Sequence, residues 1–133
     1  MSMILFIYYC RKGLKIKNSV LNYQWKGRNM LELIFEFRKG IFFIRLVGDL
    51  NKESYQKVEN ELNQLIKNNK FKYVVINTNY LKTIDMTGIN CITKICFLTI
   101  ENKSNPVICD KYKIFKTLLN DNIPSITDEL EVL

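Results

Sequence analysis

The polar residues best placed for chemistry lie in one short stretch, NYLKTIDMTGINC at residues 79–91, between two apolar runs. Asp85, Thr87 and Gly88 stand there at the predicted start of a helix. Aspartate is a strong helix N-cap, because its carboxylate accepts hydrogen bonds from the first free amides. Those amides and the positive end of the helix dipole also favour an anion. A phosphate on Thr87 would be stabilised there and would add about −1.5 to −2 charges at neutral pH.

A purely structural interpretation of the same stretch is open as well. Asp85 would then only cap the helix, and Thr87 would be an ordinary residue of the first turn. Gly88 would only give room to a neighbouring element. Because aspartate caps are common, the residue types alone favour this interpretation over a regulatory site.

The composition excludes several other kinds of functional site. The chain has no histidine, which excludes Ser-His-Asp and Cys-His catalysis and a Cys/His zinc site. Its cysteines form no CxxC pair and lie in apolar surroundings, as small reduced core residues do. They are Cys10, Cys91, Cys96 and Cys109. Since no paired carboxylates end a predicted strand, we expect no catalytic residue, no metal and no cofactor, and a small enzyme is the weaker alternative.

The elements before this stretch are predicted from the spacing of apolar residues. Residues 31–37 and 41–47 are rich in strong β-formers and flank a short Gly-containing turn, which predicts a β-hairpin. The sequence GDLN at 48–51 ends the second strand. Apolar residues recur at helical spacing through 51–69 and predict an amphipathic helix. Residues 71–77 are β-branched and apolar enough for a central strand.

The elements from Met86 onwards continue an alternating pattern. Residues 86–101 are predicted to form a helix that is apolar almost all round and therefore largely buried. The elements expected after it are a strand at 106–109, a helix capped by Asp110 at 111–121, a strand at 123–126 and a short helix that begins at 127.

The order β-β-α-β-α-β-α-β-(α) predicts an α/β fold with a single mixed sheet. An N-terminal β-hairpin would join parallel strands, because strands separated by helices are parallel neighbours with right-handed crossovers. The helices would pack mainly on one side. In such sheets functional groups gather where strands lead into helix N-termini, and residues 84–88 occupy such a place.

Positive charge is concentrated at the start of the chain. Residues 1–29 carry six Lys and Arg and no Asp or Glu, whereas residues 30–133 hold 14 Lys and Arg against 13 Asp and Glu. A nucleic-acid-binding domain carries a basic face on its folded part. The balanced body therefore argues against a nucleic-acid partner, and salt-dependent binding through residues 1–29 is the weaker alternative.

Two regions follow from this distribution, a basic N-terminal extension at 1–29 and a domain at 30–133. The extension shows no clean strand or helix period after Cys10. A disordered arm, a membrane-surface patch and a mis-annotated start would each explain it. We favour a translation start at Met30, because residues 26–29 back-translate to a purine-rich sequence that resembles a ribosome-binding site.

The apolar content predicts neither a membrane span nor a signal peptide. The longest apolar run, residues 3–10, is too short to cross a bilayer. Its basic residues follow the run, whereas those of a signal peptide precede it. We expect a cytoplasmic protein with no membrane partner, which is a monomer or a weak dimer.

Residues 31–130 resemble the STAS domain family, the anti-sigma factor antagonists (anti-anti-sigma factors) of bacterial sporulation and stress responses. The sequence Gly48-Asp49-Leu50-Asn51 is similar to the family's G-E-L-D. The sequence from Ile84 to Ile89, IDMTGI, is similar to the family's M-D-S-[ST]-G-L. The order and spacing of the elements match over nearly the whole domain.

The resemblance implies a fold, a partner and a mechanism. A family member of this kind binds an anti-sigma factor, often a serine kinase, and so releases a sigma factor. The kinase phosphorylates the antagonist at the start of the second helix, and the complex falls apart. The regulatory and partner-binding residues implied here are Asp49, Asn51, Asp85, Met86, Thr87 and Gly88, with Thr87 as the candidate for phosphorylation.

Two departures from the family pattern concern this switch. The family's acceptor hydroxyl usually follows the aspartate directly, and Met86 occupies that position. Thr87 lies one residue later, about 100° further round the helix. The aspartate that ends the family's G-E-L-D is Asn51 here. The resemblance therefore implies a binding surface with a degenerate or relocated phosphorylation switch.

A second binding role is compatible with the same resemblance. The chain could be a STAS subunit of a transporter or of a stress-signalling scaffold. Neighbouring genes would separate the two roles, with a kinase-type ATPase and a sigma factor for the first and membrane transport proteins for the second.

Overall fold

The computed structural model describes residues 20–25, 31–115 and 123–132 of the chain. Within them, seven strands form one sheet. The strands are β1 (Val20–Trp25), β2 (Leu31–Arg38), β3 (Ile41–Leu50), β4 (Tyr73–Asn77), β5 (Leu81–Ile84), β6 (Asn105–Cys109) and β7 (Ser125–Ile126). The helices are α1 (Tyr55–Asn68), α2 (Met86–Glu101) and a 3₁₀ helix at Glu129–Glu131.

The sheet is mixed, as the sequence predicts. Its strand order is β1-β2-β3-β4-β6-β7, and β5 pairs with the last residues of β3. The first three strands are antiparallel neighbours, and the other pairs are parallel. The expected α/β fold with an N-terminal hairpin and parallel strands is therefore confirmed.

The hairpin turn between β2 and β3 has positive backbone φ angles, which favour glycine and few other residues. Lys39 and Gly40 both have positive φ, at 54° and 80°. Positive φ at both central residues defines the type I′ turn, whose twist matches that of the flanking strands. Arg38 and Ile41 then pair directly across the turn, which sets the register of the whole hairpin.

Strand β4 is central, in agreement with the prediction for residues 71–77. It lies between β3 and β6 and is parallel to both. Val74, Val75 and Ile76 are fully buried, so both faces of this strand are covered. This is why its sequence lacks the polar alternation of a half-exposed strand.

The core lies mainly between one face of the sheet and the two helices. Alternate residues of β3 point to opposite faces, and Phe42, Ile44 and Leu46 pack in the cluster that contains the helices. The opposite, helix-free face carries a smaller apolar cluster. Its buried members are Ile41, Phe43, Val75, Val107 and Cys109, with Ile126 and Val132 packed against them. Both helices therefore cover one side, as predicted.

Several details differ from the sequence expectations, among them strand β5, which the sequence did not predict. Strand β1 lies in the extension, for which the apolar pattern predicted no strand, and its backbone pairs with β2. Residues 111–115 form turns instead of the start of a helix. The Asp110 carboxylate still caps amides there, accepting hydrogen bonds from Ile114 N and Phe115 N, both at 2.9 Å. The rest of that predicted helix lies outside the described residues.

Helix α2 is also less buried than its apolar sequence suggests. Cys91, Ile95 and Cys96 face the core, but Phe97 and Ile100 are exposed. In the described part of the chain, neither α2 nor any other helix is both long and apolar enough to cross a membrane.

Candidate functional site

The candidate site begins where β3 ends. Gly48 has φ 117°, a value that favours glycine, and the pairing of β3 with β5 shifts register between Gly48 and Asp49. Its amide donates to Tyr80 O at 3.2 Å, which brings the chain before β5 alongside β3. The irregular strand end therefore turns Asp49 towards the start of β5.

Asp49 and Thr83 join these two strands through their side chains. The Thr83 hydroxyl donates to Asp49 Oδ1 at 2.6 Å. The Asp49 carbonyl accepts a second hydrogen bond from the Ser54 hydroxyl at 2.9 Å. Ser54 is fully buried, so the residue before α1 is tied to the end of β3.

Asn51 closes the loop between β3 and α1. Its side-chain oxygen accepts hydrogen bonds from Glu53 N at 2.9 Å and from Ser54 N at 3.3 Å. This Asx-type turn needs an oxygen acceptor and no negative charge. Asparagine can therefore hold the loop where the family has aspartate, although it contributes no charge to the site.

Asp85 caps α2, as its residue type predicts. Its Oδ1 accepts a hydrogen bond from Gly88 N at 2.9 Å. Its Oδ2 accepts a second hydrogen bond from Lys52 N at 3.2 Å. One carboxylate thus binds the first turn of its own helix and the loop that precedes α1. This second contact connects the two sequence motifs, from the end of β3 and the start of α2.

Gly88 is required by the close packing of this helix start. A Cβ atom added to it would lie 2.5 Å from the Leu50 carbonyl oxygen and 2.8 Å from Ile84 Cγ1. A backbone oxygen cannot move aside cheaply, so no larger residue fits without a shift of α2. Gly88 therefore has a packing role, and its small size lets the helix approach the end of β3.

Met86 and Thr87 occupy the first turn of α2 with different accessibility. The Met86 side chain is 61% exposed. Thr87 is half-buried. The position directly after Asp85, where the resemblance places the acceptor hydroxyl, is therefore exposed to solvent and holds the Met86 thioether. Thr87, which carries the nearest alternative hydroxyl, is less exposed.

Helix α2 itself carries two buried cysteines, whose thiols are the other potentially reactive groups close to the site. Desolvation raises the pKa of both Cys91 and Cys96 to about 12. Both side chains are buried in the main core. At neutral pH they remain neutral thiols, which are poor nucleophiles.

The structure brings the predicted site residues into one junction. Asp49 and Asn51 lie at the end of β3, Asp85 to Gly88 lie at the start of α2, and the Lys52 amide links the two groups. Their regulatory roles stay predictions. Sequence reasoning missed Thr83, because β5 is only four residues long and its alternation is too short to stand out.

Comparisons with known proteins identify a family for the chain. The family model of the STAS domain matches residues 32–119. No curated protein sequence matches the chain.

Solved structures share this fold at low sequence identity. The anti-sigma factor antagonist SpoIIAA in its unphosphorylated form matches with a TM-score of 0.63 at 12% identity, over 75% of this chain and 92% of that one. An anti-sigma factor antagonist from Mycobacterium paratuberculosis gives 0.63 at 11% identity, over 76% and 89%. The Bacillus cell fate determinant SpoIIAA in the phosphorylated form gives 0.58 at 15%, over 75% and 96%. At these identities the likeness shows the fold alone.

Proposed function

The chain belongs to the STAS domain family, and from this premise we propose that it is a cytoplasmic protein–protein interaction module that antagonises an anti-sigma factor. Its partner would be an anti-sigma factor of the serine-kinase kind, and binding would release a sigma factor for transcription. The chain would act by binding and would catalyse no reaction. The raised pKa values of its buried thiols and the lack of histidine support a binding role.

The observation that carries the proposal is the fixed and exposed start of α2. The Asp85 carboxylate holds the first helical turn against the loop before α1, so the backbone presents Met86 in a defined position. Phe97 lies eleven residues later, about three turns along the same helix face. Phe97 and Ile100 are 46% and 42% exposed. Asn90 and Thr93 lie between Met86 and this pair, so the face is mixed, with exposed apolar side chains at both ends and polar ones between them. Non-obligate protein interfaces combine polar and apolar groups in this way.

Phosphorylation at the helix start would oppose such an interface. A dianion within a docking surface has to lose its hydration when the partner binds, and together with Asp85 it would repel acidic groups of the partner. Met86 cannot accept phosphate, and Thr87 is half-buried. We therefore propose that the switch is degenerate or has moved to Thr87, and we favour loss because Met86 and Asn51 depart from the family at the same junction.

The test starts from the full chain in its native host. Affinity purification followed by mass spectrometry should recover an ATP-binding anti-sigma factor as the partner. In purified transcription reactions, the chain should restore transcription that this anti-sigma factor has inhibited. Recovery of membrane transport proteins would instead support the role as a transporter subunit and would contradict the proposal.

A matched pair of variants then tests the surface. Met86→Glu and Gln64→Glu each add one negative charge at an exposed helical position, the first at the start of α2 and the second on α1. We expect Met86→Glu to weaken binding of the purified partner by about tenfold or more, since hot-spot truncations and buried charges cost at least that much. Gln64→Glu should bind as the wild type does. Equal affinity of both variants would show that the start of α2 is not the interface.

A further inference from the structure

Two polar residues lie side by side on the helix-free face of the sheet. Arg45 of β3 and Asn77 of β4 are direct register partners. Asn77 is only 3% exposed. Polar groups at the centre of a sheet cost free energy unless they are hydrogen-bonded. This face therefore needs an acceptor that reaches both side chains.

Glu129 supplies that acceptor from the end of the described chain. Its carboxylate accepts from Arg45 Nε at 2.8 Å, from Arg45 Nη2 at 2.6 Å and from Asn77 Nδ2 at 2.7 Å. Burial alone raises the pKa of Glu129, but the hydrogen bonds from Arg45 and Asn77 outweigh it and hold this pKa below its usual value. Arg45 and Asn77 thus form a receptor for one carboxylate.

The segment that carries Glu129 is held by polar contacts and by the pairing of β7 with β6, and none of its residues is fully buried. We call residues 125–132 the cover. It begins with the two-residue strand β7, and Asn79 Nδ2 donates to Thr127 O at 2.8 Å. Val132 packs against the small apolar cluster, but Leu130 is 76% exposed. Segments with few buried contacts open locally at low free-energy cost.

Arg45 keeps a charge partner when the cover leaves. Its Nη2 lies 3.3 Å from Glu36 Oε1, and the other oxygen of Glu36 lies 3.3 Å from Arg38 Nη2. Opening therefore does not leave a buried cation unpaired, which is the costly outcome when a buried ion pair is broken. With the cover closed Arg45 contacts both Glu129 and Glu36, and Glu36 remains as its partner if Glu129 leaves.

In the described part of the chain a groove lies beside the cover. Ile34, Arg38, Val47 and Tyr80 line the side of it that does not belong to the cover, so this side does not depend on the cover. The exposed Leu130 leaves most of its own surface in solvent. A segment with a carboxylate in the receptor and an apolar side chain in this groove would bury more surface than the cover does.

We propose that this face is a docking surface for an acidic segment of a protein partner, and that the cover occupies it in cis until the partner displaces it. The partner segment would place a Glu or Asp side chain against Arg45 and Asn77 and an apolar side chain in the groove. No residue of this surface belongs to the junction at the start of α2, so the proposal goes beyond the anti-sigma antagonist function and can fail or hold independently.

Cysteine labelling of the full chain tests whether the cover opens alone. Cys109 lies in the small cluster against Ile126 and Val132, whereas Cys91 and Cys96 lie under the helices on the other face. Burial raises the pKa of all three thiols, so each is protonated at neutral pH in the closed protein and its labelling depends on exposure. Alkylation of each cysteine is followed by mass spectrometry of its peptide.

Glu129→Gln removes the charge that holds the cover. We expect it to speed labelling of Cys109 by about tenfold or more, as loss of a charged hydrogen bond allows, with labelling of Cys91 and Cys96 unchanged. Glu101→Gln, an exposed change at the end of α2, should alter none of the three rates. Equal acceleration of all three cysteines in Glu129→Gln would mean global unfolding and would overturn the proposal.

A peptide of residues 125–132, capped at both ends and fluorescently labelled, tests the docking surface. It should bind the Glu129→Gln chain saturably and the wild type about tenfold or more weakly, because the tethered cover competes at a high effective concentration. The same peptide with Gln in place of its Glu at position 129 should bind neither chain. Fast labelling of Cys109 without any peptide binding, or equal binding of both peptides, would overturn the docking surface.

Discussion

The Thr83 hydroxyl lies 2.6 Å from Asp49 Oδ1, and this hydrogen bond joins β5 to the end of β3. The two residues are also register partners in the sheet. Strand β5 leads directly to Asp85, so the position of the α2 start depends on how β5 is held. A side-chain contact that sequence reasoning did not foresee thus helps to position the candidate site.

Removal of that hydrogen bond should weaken the junction. Thr83→Val keeps the β-branched shape and deletes the hydroxyl, and we expect it to lower the free energy of unfolding by about 0.5–1.5 kcal/mol. Urea denaturation measures this change. In a double-mutant cycle, Asp49→Ala and Thr83→Val should couple by at least about 0.5 kcal/mol. Strict additivity of the two changes would show that the hydrogen bond contributes nothing.

Gly88→Ala should destabilise the protein although alanine favours helices. The added Cβ would lie 2.5 Å from the Leu50 carbonyl oxygen. Overpacking of this kind costs about 1–3 kcal/mol. Alanine gains about 1 kcal/mol over glycine in helix propensity, and at the upper end of its range the overpacking cost exceeds this gain. Asn90→Ala, at an exposed position of the same helix, is the control and should leave the melting temperature unchanged or raise it. A melting temperature of Gly88→Ala above that of the wild type would contradict the packing argument.

The phosphorylation switch gives two distinguishable outcomes. If Thr87 is the acceptor, Thr87→Ala should abolish phosphorylation by the partner kinase and leave binding intact, and Thr87→Glu should weaken binding in part, because a carboxylate carries less charge than a phosphate. If the switch is lost, the wild type should take no phosphate, and Met86→Ser should create an acceptor directly after Asp85. Mass spectrometry of the intact chain after incubation with kinase and ATP measures both. We favour loss, and stoichiometric phosphate on Thr87 in protein from the native host would contradict it.

The ion pair on the helix-free face should make stability depend on pH. Because the folded pKa of Glu129 is lowered, its contribution is fully present above the unfolded pKa and disappears as the pH falls through the folded value. Arg45 and Asn77 bind it directly, and Glu36 and Arg38 lie next to Arg45 on the same face. The difference in free energy of unfolding between wild type and Glu129→Gln should be about 1–3 kcal/mol at pH 7. It should shrink as the pH falls below the unfolded pKa of a glutamate and disappear below the lowered folded pKa of Glu129, and a difference that stays constant across this acid range would refute the role of the charge.

Deletion of residues 1–29 tests the division of the chain. We expect a folded domain, because Leu31, Leu33 and Phe35 of β2 are buried in the main core cluster together with residues of both helices. The deletion would, however, free the edge of β2 that β1 pairs with. Free edges promote pairing between copies, so analytical ultracentrifugation should show more self-association than in the full chain. Loss of cooperative unfolding in the truncated chain would mean that the extension is part of the core.

The parts of the fold that the sequence predicted are those set by local pattern. The hairpin at 31–47 and the central strand at 71–77 have long, strong runs of β-formers. Strand β5 was missed because its four residues form a strand only by pairing with the irregular end of β3. The turns at 111–115 show the opposite case. The Asp110 carboxylate binds the amides of Ile114 and Phe115, further along the chain than the amides a helix cap binds, and no helix follows in the described residues.

The candidate site was predictable residue by residue but not as an arrangement. The role of Asp85 as a cap followed from its type and from the apolar run after it. Its contact with Lys52 spans 33 positions in sequence, and nothing in the local pattern indicates it. The same holds for Glu129, which reaches Arg45 across 84 positions. Long-range polar contacts depend on the finished fold, so sequence periodicity could not reveal them.

Strand β3 pairs with β2, β4 and β5, and residues 41–44 are buried on both faces. Its backbone amides are therefore shielded from solvent by more neighbours than those of a strand at the edge of the sheet. We expect them to be the last to exchange hydrogen for deuterium, at a rate set by global unfolding alone. Local opening of the cover would leave this slow-exchanging unit intact, and the chain could change its surface without passing through an unfolded state.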